Sequence, residues 1–380
     1  MAECRYTFLD LGPVNAPYMD ELADAAARVV RSGRYIGGPE VDAFEHNLCA
    51  LTGARYAVGV SNGLDALRLI LRAYVELGVF APGDEVIVPA NTYIASVLAI
   101  SDAGLVAVLA EPDLLTSNLD TSRLAELVTP RTKAVMPVHL YGRVCWDETL
   151  RDFALGHGLK IIEDNAQAIG ADAGIPGLSG GRRTGALGHA AAFSFYPTKN
   201  TGALGDAGAV TTCDERLAAT VRALANYGSD RRYHNIYRGF NCRLDPMQAA
   251  ILNVKLPYVA EENALRRQLA GIYCSMVDNP FVRLPELVPG HVFHQFVVHT
   301  PRRDDFCRWL DANGVGWDIH YAVPPHMQPC YSGEDAACIC RYSALPVTEE
   351  LARTCISLPI TRCTSPQDAG EIAGIINGFN

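Results

Sequence analysis

Short apolar segments alternate with helical patterns from residue 56 to residue 212, and this alternation restricts the possible folds more than any other feature of the sequence. The first apolar run covers 56–60, and Leu64, Leu67 and Ile70 then follow with helical spacing. Strands that alternate with helices form largely parallel sheets with helices on both faces. The sequence therefore predicts an α/β fold with strands at 56–60, 84–89, 106–109, 134–138, 159–163, 190–195 and 207–212. No helix separates the last two strands, so we expect an irregular strand order there.

After the predicted sheet, the pattern changes to a long helical stretch from Pro246 to about Asn279, interrupted near Pro257. A strand at 293–299 and a helix at 304–313 follow. This mixed order is typical of a smaller α+β domain. We expect an N-terminal segment at 1–30 packed with the small domain, a large domain at 31–257, and a small C-terminal domain at 258–380.

Charge and hydropathy exclude several classes of protein. The net charge of −10 argues against a nucleic-acid surface, because phosphate binding needs a concentrated basic face. No apolar run approaches the roughly 18 residues of a membrane span. The N-terminal sequence has no basic segment followed by an apolar one, as a secretory signal would. We therefore expect a cytoplasmic protein that binds neither nucleic acid nor membrane.

The twelve cysteines are dispersed along the chain, and the only tight group is Cys330, Cys338 and Cys340. This group lacks the paired spacing of a zinc site and has no second pair. Free thiols in a reducing compartment are the better interpretation. We expect no metal.

Three motifs combine residue types that carry chemistry. Ser61-Asn62-Gly63 lies between a strand and a helix, where free backbone N–H groups and the helix dipole favour an anion. Helix capping by Asn62 is the alternative interpretation, and it is the commoner one for an isolated motif.

A second motif, LKIIEDNAQA, ends a buried strand with Glu163 and Asp164, at the edge of the sheet where ligands bind. These acids could equally cap the following segment.

The third motif, AAFSFYPTKNTGALGDAGAV, places Lys199 in a turn after a buried strand. The amine of a lysine held at the end of a sheet can be desolvated, which lowers its pKa and makes it nucleophilic toward an aldehyde. Taken alone, a lysine is more often a solvated surface residue. Together, however, a phosphate-binding turn, a strand-end acid and a turn lysine are the three anchors that pyridoxal phosphate requires.

The order of SNGLDAL, PANTYIAS, EDNAQA, SFYPTKNTGALGDAGAV and GFNCRLDPMQAA resembles the DegT/StrS family of nucleotide-sugar aminotransferases, which have the fold type I architecture of aspartate aminotransferase. The resemblance extends from GRYIGGPEV near residue 33 to ISLPI at 356–360. It implies a pyridoxal-phosphate enzyme with a mostly parallel central sheet, and a homodimer with shared active sites.

The resemblance also implies the role of individual residues. Lys199 matches the lysine that binds the cofactor as a Schiff base, and Asp164 matches the acid that pairs with the pyridinium nitrogen. Further matches are the phosphate-binding turn at Asn62, Gly63 and Leu64, the stacking aromatic Tyr93, the ring-hydroxyl amide Gln167, the phosphate hydroxyl Ser194 and the partner-subunit asparagine Asn241.

Substrate recognition is predicted from two segments. The basic segment SDRRYHNIYRGFNCRLD contains Arg231 and Arg232, which could bind a sugar-nucleotide diphosphate or could pair with local acids on a solvated loop. The segment IHYAVPPHMQ resembles the HYPxPPHLQ pattern of relatives that aminate carbon 3 of dTDP-linked 6-deoxyhexuloses. On that resemblance His320 and Tyr321 lie near the sugar, with Tyr196 as a further substrate contact and L-glutamate as the amino donor.

The sequence departs from the family at Thr198, Ala322 and Ile169, where many relatives have glycine, proline and histidine, and in a lengthened Gly-rich loop at 173–181. None of these departures affects the three cofactor anchors, but they leave the sugar open. We predict 3-amination of a dTDP-linked 3-keto-6-deoxyhexose. The alternatives are 4-amination of a dTDP-, UDP- or GDP-4-keto sugar and a pyridoxal-phosphate-binding regulator without turnover. A sugar dehydratase is disfavoured, because relatives that remove the 3-hydroxyl carry histidine where this chain has Lys199.

Overall fold

A sheet of eight strands forms the centre of the molecule in the computed structural model, which describes residues 4–174, 183–332 and 339–380. Its strands lie in the order β1-β7-β6-β5-β4-β2-β3-β11. They are β1 (Tyr56–Val60), β2 (Glu85–Pro89), β3 (Val106–Ala110), β4 (Thr132–Val135), β5 (Lys160–Asp164), β6 (Ala190–Ser194), β7 (Gly208–Thr212) and β11 (Cys340–Arg341).

Strand β7 pairs antiparallel with both β1 and β6, whereas the other neighbouring pairs of this sheet run parallel. The predicted α/β class and the irregular order around the last two strands are thus confirmed. Two smaller pairings lie outside the sheet: β8 (Ser229–Arg231) with β9 (His234–Asn235), and β10 (Phe296–His299) with β12 (Cys355–Leu358).

The helices that flank the sheet and build the rest of the molecule begin where the sequence provides caps. Asn62, Asp147, Asp214 and Asp245 each accept a hydrogen bond from a backbone N–H of the helix that follows. The helices are α1 (Leu11–Asn15), α2 (Met19–Ser32), α3 (Pro39–Thr52), α4 (Gly63–Glu76), α5 (Ile94–Asp102), α6 (Glu148–Gly156), α7 (Glu215–Ala225), α8 (Pro246–Lys255), α9 (Val259–Met276), α10 (Arg303–Ala312), α11 (Pro346–Thr354) and α12 (Pro366–Asn377).

The break expected near Pro257 is present as a single 3₁₀ turn, Leu256–Tyr258, between α8 and α9. A proline has no N–H to continue the α-helical ladder, so the chain tightens there and resumes as a second helix.

Most predicted strands agree with the structure to within one residue at each end, but two differ by more. The strand expected at 134–138 is β4, Thr132–Val135. The strand expected at 293–299 is shorter, Phe296–His299, because Phe293 adopts a left-handed conformation with φ 43°. The preceding segment bonds instead to the chain after β4, with Val292 N–H donating to Gly142 O at 3.0 Å.

The apolar core is divided. One cluster lies between the sheet and helices such as α4, α5 and α7. A second joins α9, β10, α10, β12 and α12, and includes Tyr6 from the N-terminal segment. Helix α2, by contrast, packs on α8 through Val29 and Ala250. The division into domains at 30 and 257 stays a prediction.

Among the described residues, no helix is both long enough and apolar enough to cross a membrane.

Candidate active site

Lys199 lies in a closed turn that follows β6. Its N–H donates to Tyr196 O at 2.8 Å, and Phe195 closes the turn on both sides through bonds with Ala203 and Ala207, each 2.8 Å. A side chain at Gly202 would collide with the carbonyl of Pro197, so the return of the chain requires glycine. The turn therefore fixes the lysine at the carboxyl edge of the sheet.

The surroundings of Lys199 make its amine easier to deprotonate. Loss of hydration lowers its pKa from 10.5 to about 8, and the negative charge of Asp164 acts in the opposite direction. An amine with this pKa is partly uncharged near neutral pH, as a nucleophile must be.

Asp164 ends strand β5 and is buried. Its carboxylate accepts hydrogen bonds from Ser96 Oγ at 2.7 Å and from Ala166 N–H at 3.1 Å. Burial raises the pKa of Asp164, and these two donors and the charge of Lys199 oppose that rise. The carboxylate is thus both desolvated and oriented, which suits it to hold a cationic group.

Ser96 was not among the predicted site residues. It lies on α5 and shares a 2.8 Å hydrogen bond with Thr92 Oγ1 in addition to its bond to Asp164. Both residues belong to the PANTYIAS motif, so the signal was present in the sequence, but only the fold shows that α5 starts beside the end of β5.

The turn before α4 lies against the end of β6. A Cβ added at Gly63 would come within 2.8 Å of Ser194 Cβ, so the two residues are in direct contact. Asn62 Oδ1 accepts from Asp65 N–H at 2.8 Å, so the capping interpretation is correct for its side chain. The N–H groups of Gly63 and Leu64, in the first turn, have no carbonyl partner within the helix and remain able to bind an anion.

A group of aromatic and amide side chains near Asp164 is formed by Tyr93, Gln167 and Tyr321. Tyr93 is 54% exposed, and its ring centroid is 5.1 Å from that of Tyr321. Gln167 donates from Nε2 to the Tyr321 hydroxyl at 3.0 Å and accepts from Tyr141 N–H at 2.6 Å. The amide of Gln167 therefore has partners at both ends within the chain, and its predicted contact with a ring hydroxyl stays a prediction.

His320 belongs to the same group of residues. Its Nδ1 lies 2.7 Å from Ser357 Oγ, and its ring stacks on Phe8 with centroids 6.2 Å apart. Burial lowers the pKa of His320, the negative charge of Asp318 opposes this shift, and the nearby charge of Lys199 adds to it. The structure thus brings His320 and Tyr321 to the lysine from the C-terminal part of the chain.

The predicted basic segment has a different environment. Arg231 and His234 pair in the β8–β9 hairpin, whose surface is exposed, and Arg232 stacks on the neighbouring Tyr233 ring. Asn241 is exposed and forms a backbone bridge with Asn226. Within the described parts of the chain, no contact joins these side chains to Lys199, so their predicted roles stay predictions.

Buried behind Asp164 is a second acid, Glu163, whose side chain is fully enclosed. It accepts from the N–H groups of Gly185, Leu187 and Gly188, each at 2.8 Å, and lies 3.0 Å from His139 Nε2. Its role is to join the end of β5 to the loop before β6.

No group of three or more His, Cys, Asp or Glu side chains within 4–174, 183–332 and 339–380 is arranged to hold a metal ion. Cys338 of the cysteine group and most of the Gly-rich loop at 173–181 lie outside the described residues.

Comparison with known proteins is consistent with this arrangement. The model of the DegT/DnrJ/EryC1/StrS aminotransferase family matches residues 18–377. The chain is 46% identical to a dTDP-3-amino-3,6-dideoxy-alpha-D-galactopyranose transaminase of Aneurinibacillus thermoaerophilus, over 98% of this chain and 99% of that protein. It is 45% identical to a dTDP-3-amino-3,4,6-trideoxy-alpha-D-glucose transaminase of Streptomyces venezuelae, over 94% and 91% of the two chains.

The fold is likewise similar to solved structures. The crystal structure of S. venezuelae DesV in complex with a ketimine intermediate superimposes with a TM-score of 0.91 at 43% identity, covering 98% of each chain.

Proposed function

Because this chain belongs to the DegT/DnrJ/EryC1/StrS aminotransferase family, we propose that it transfers an amino group from L-glutamate to carbon 3 of a dTDP-linked 3-keto-6-deoxyhexose. The chain is an aminotransferase of fold type I, and its cofactor is pyridoxal 5'-phosphate. The observation that carries the proposal is the placement of Lys199, Asp164 and Gly63 at one edge of the sheet.

The residues present fit this cofactor. Gly63 packs so closely on Ser194 that a Cβ would be crowded, while the N–H groups at the start of α4 stay available for a phosphate. Lys199 is a desolvated amine, and Asp164 is a buried carboxylate with two hydrogen-bond donors. When bound, the cofactor supplies an aldehyde for the amine and a ring that withdraws electrons from the reacting carbon.

The protein's own residues supply binding, orientation and proton transfer. We assign cofactor attachment to Lys199 Nζ, which also moves the proton to and from the substrate carbon as general base and acid. Asp164 holds the ring nitrogen, with Ser96 orienting its carboxylate. Tyr93 covers one ring face, and Gly63, Leu64 and Ser194 hold the phosphate.

Two relatives support the choice of carbon 3 and of a dTDP-sugar. Both are named as dTDP-3-amino-sugar transaminases, and both match nearly the whole chain. His320 and Tyr321, in the segment that resembles the 3-aminating relatives, lie beside Gln167 and Tyr93. We place the sugar on this side of Lys199, with Tyr196 as a further contact, and the reaction in the cytoplasm.

A homodimer with shared sites is part of the proposal. Asn241 is exposed in the single chain, which leaves its amide free to reach the phosphate site of a partner subunit. The test is complementation between Lys199→Ala and Asn241→Asp chains. A mixed dimer has one site with both native residues, so activity should reappear on mixing. Verified mixed dimers as inactive as their parents would contradict shared sites.

The proposed substrate is tested with the purified holoenzyme, L-glutamate and a panel of dTDP-, UDP- and GDP-linked 3-keto and 4-keto sugars. We expect kcat/KM to be highest for a dTDP-3-keto-6-deoxyhexose, with Lys199→Ala as the inactive control. Preferred turnover of a 4-keto or a UDP- or GDP-sugar would contradict the substrate assignment. Failure of glutamate to convert the bound cofactor, together with no turnover of any sugar, would support the regulator instead.

A further inference from the structure

A row of side chains connects helix α9 to the turn that carries Lys199. Asn263 Nδ2, on α9, donates to Ile169 O at 2.9 Å. Asn200 Nδ2 donates to Asn263 Oδ1 at 2.9 Å and to Val292 O at 3.1 Å. His294 Nδ1 lies 2.9 Å from Asn200 Oδ1. Asn200 directly follows Lys199 in the sequence, so the row ends at the reacting lysine.

Two backbone carbonyls determine the direction of every hydrogen bond in this row. A carbonyl only accepts, so Ile169 O requires the amide nitrogen of Asn263, whose oxygen must then face Asn200. Val292 O likewise requires the amide nitrogen of Asn200. The oxygen of Asn200 therefore faces His294 Nδ1, which must be the donor. His294 thus carries its proton on Nδ1.

The buried position of His294 keeps the ring in this neutral form. Burial holds the pKa of His294 well below its ordinary value, and the nearby charges of Lys199, Arg266 and His320 act in the same direction. A neutral imidazole adds no second positive charge beside the lysine.

The backbone at His294 is held from both sides. Buried Arg266 donates from Nη1 to Phe293 O at 3.2 Å and to His294 O at 3.1 Å. His294 N–H donates to Tyr141 O at 2.8 Å. Phe293 adopts a left-handed conformation at φ 43°. This conformation is strained for an aromatic residue and persists only where surrounding contacts fix it. The imidazole is therefore placed by several independent contacts rather than by simple packing.

We propose that His294 is a positioning residue for Lys199: its Nδ1–H holds Asn200, and Asn200 together with Asn263 fixes the turn from which the lysine amine reaches the reacting atoms. This inference rests on the proposed function only in taking Lys199 as the reacting amine, and it is independent of which sugar is used. The imidazole contributes one neutral donor, and no proton leaves it during the reaction.

The test compares two replacements of His294, each of which keeps a polar group at the position of only one imidazole nitrogen. The amide of asparagine can place an N–H near the Nδ1 position, whereas that of glutamine reaches the Nε2 position. We expect His294→Asn to keep kcat within about 3-fold of wild type, and His294→Gln to lower kcat about 10-fold or more at nearly unchanged KM for glutamate.

A second readout does not depend on turnover. In the cofactor-free full chain, the pH dependence of Lys199 modification by an amine reagent gives the pKa of the lysine, which we expect near 8 in wild type. His294→Gln should raise this pKa by about one pH unit, because a loosened turn admits water to the amine. His294→Asn should leave it unchanged.

His299 provides the control, because it is a half-buried histidine whose Nδ1 likewise bonds to a side-chain oxygen, Thr354 Oγ1 at 2.9 Å. His299→Gln should leave the pKa of Lys199 at its wild-type value. If His294→Gln does not fold, Asn200→Ala removes the acceptor of the same bond and is expected to raise the pKa in the same way.

A double variant shows whether His294 and Asn200 act through one shared hydrogen bond or independently. The double variant His294→Gln with Asn200→Ala should lose no more activity than the more damaged single variant, since both break the same bond. The proposal is overturned if the losses multiply, if His294→Gln and Asn200→Ala behave as wild type, or if His294→Asn is as damaged as His294→Gln. Failure of Lys199 itself to be required would instead contradict the proposed function.

Discussion

The two sides of the site are built in different ways. On the sheet side, Asp164 and Ser194 end regular strands, and Gly63 begins a capped helix. On the opposite side, His294 lies in an irregular segment next to the left-handed Phe293, and the buried Arg266 holds its backbone. In the proposed function, the sheet side supplies the cofactor anchors, and the irregular side sets how precisely Lys199 is presented.

The largest expected effect is on the sheet side. Lys199→Ala should lower turnover roughly 10⁴-fold or more and remove the visible absorption of the lysine-bound cofactor, because no other group there can attach to it and move the proton. Lys255 is the matched control, since its pKa is also lowered to about 8 by burial. Its amine donates to Asn15 Oδ1 and Gly202 O, so Lys255→Met should reduce stability but keep the absorption.

Asp164→Asn should have the next largest effect. The amide removes the negative charge while leaving the phosphate anchors, so cofactor should still bind while kcat falls roughly 10²–10³-fold. Spectrophotometry and steady-state kinetics measure the two quantities. Ser96→Ala removes only one donor to this carboxylate and should cost much less. Wild-type rates in Asp164→Asn would mean that another group holds the ring nitrogen.

Gly142→Ala tests the junction between the two sides. Gly142 has φ 89°, and a Cβ there would lie 2.7 Å from Val292 Cγ2 and 3.0 Å from His294 N. We expect a loss of about 2 kcal/mol or more in unfolding free energy, together with a reduced kcat. Gly158→Ala is the control, because Gly158 also has a positive φ but nothing within 4 Å of its added Cβ. If both variants lose equal stability and both keep full kcat, the junction does not position the site.

These two sides also differ in how far the sequence predicts them. The strands and the turn with Gly63, Asp164 and Lys199 follow from local apolar runs and capping patterns, each within about twenty residues. The row from Asn263 through Asn200 to His294 joins residues up to 94 positions apart, and no local pattern marks it. Hydrogen-bond direction depends on backbone carbonyls that only the fold brings together. The prediction that β10 starts at 293 was wrong, because Phe293 is left-handed and Val292 bonds to Gly142, a contact that only the fold creates.

The smallest expected effect is at the exposed hairpin. Arg232→Ala should change the unfolding free energy by less than about 0.5 kcal/mol, because among the described residues its guanidinium interacts with the neighbouring, exposed Tyr233 and with no acid. If the residue binds the nucleotide diphosphate, KM for the sugar nucleotide should rise several-fold with kcat little changed. An unchanged KM would remove Arg232 from the substrate site and leave it as a solvated arginine.

The most direct test of the account follows the nitrogen itself. Holoenzyme is incubated with ¹⁵N-labelled L-glutamate and a dTDP-linked 3-keto-6-deoxyhexose, and the product is assigned by NMR. We expect ¹⁵N on carbon 3 of the sugar and no labelled product from Lys199→Ala. Label on carbon 4, or label incorporated at wild-type rates by Lys199→Ala, would contradict the proposed function.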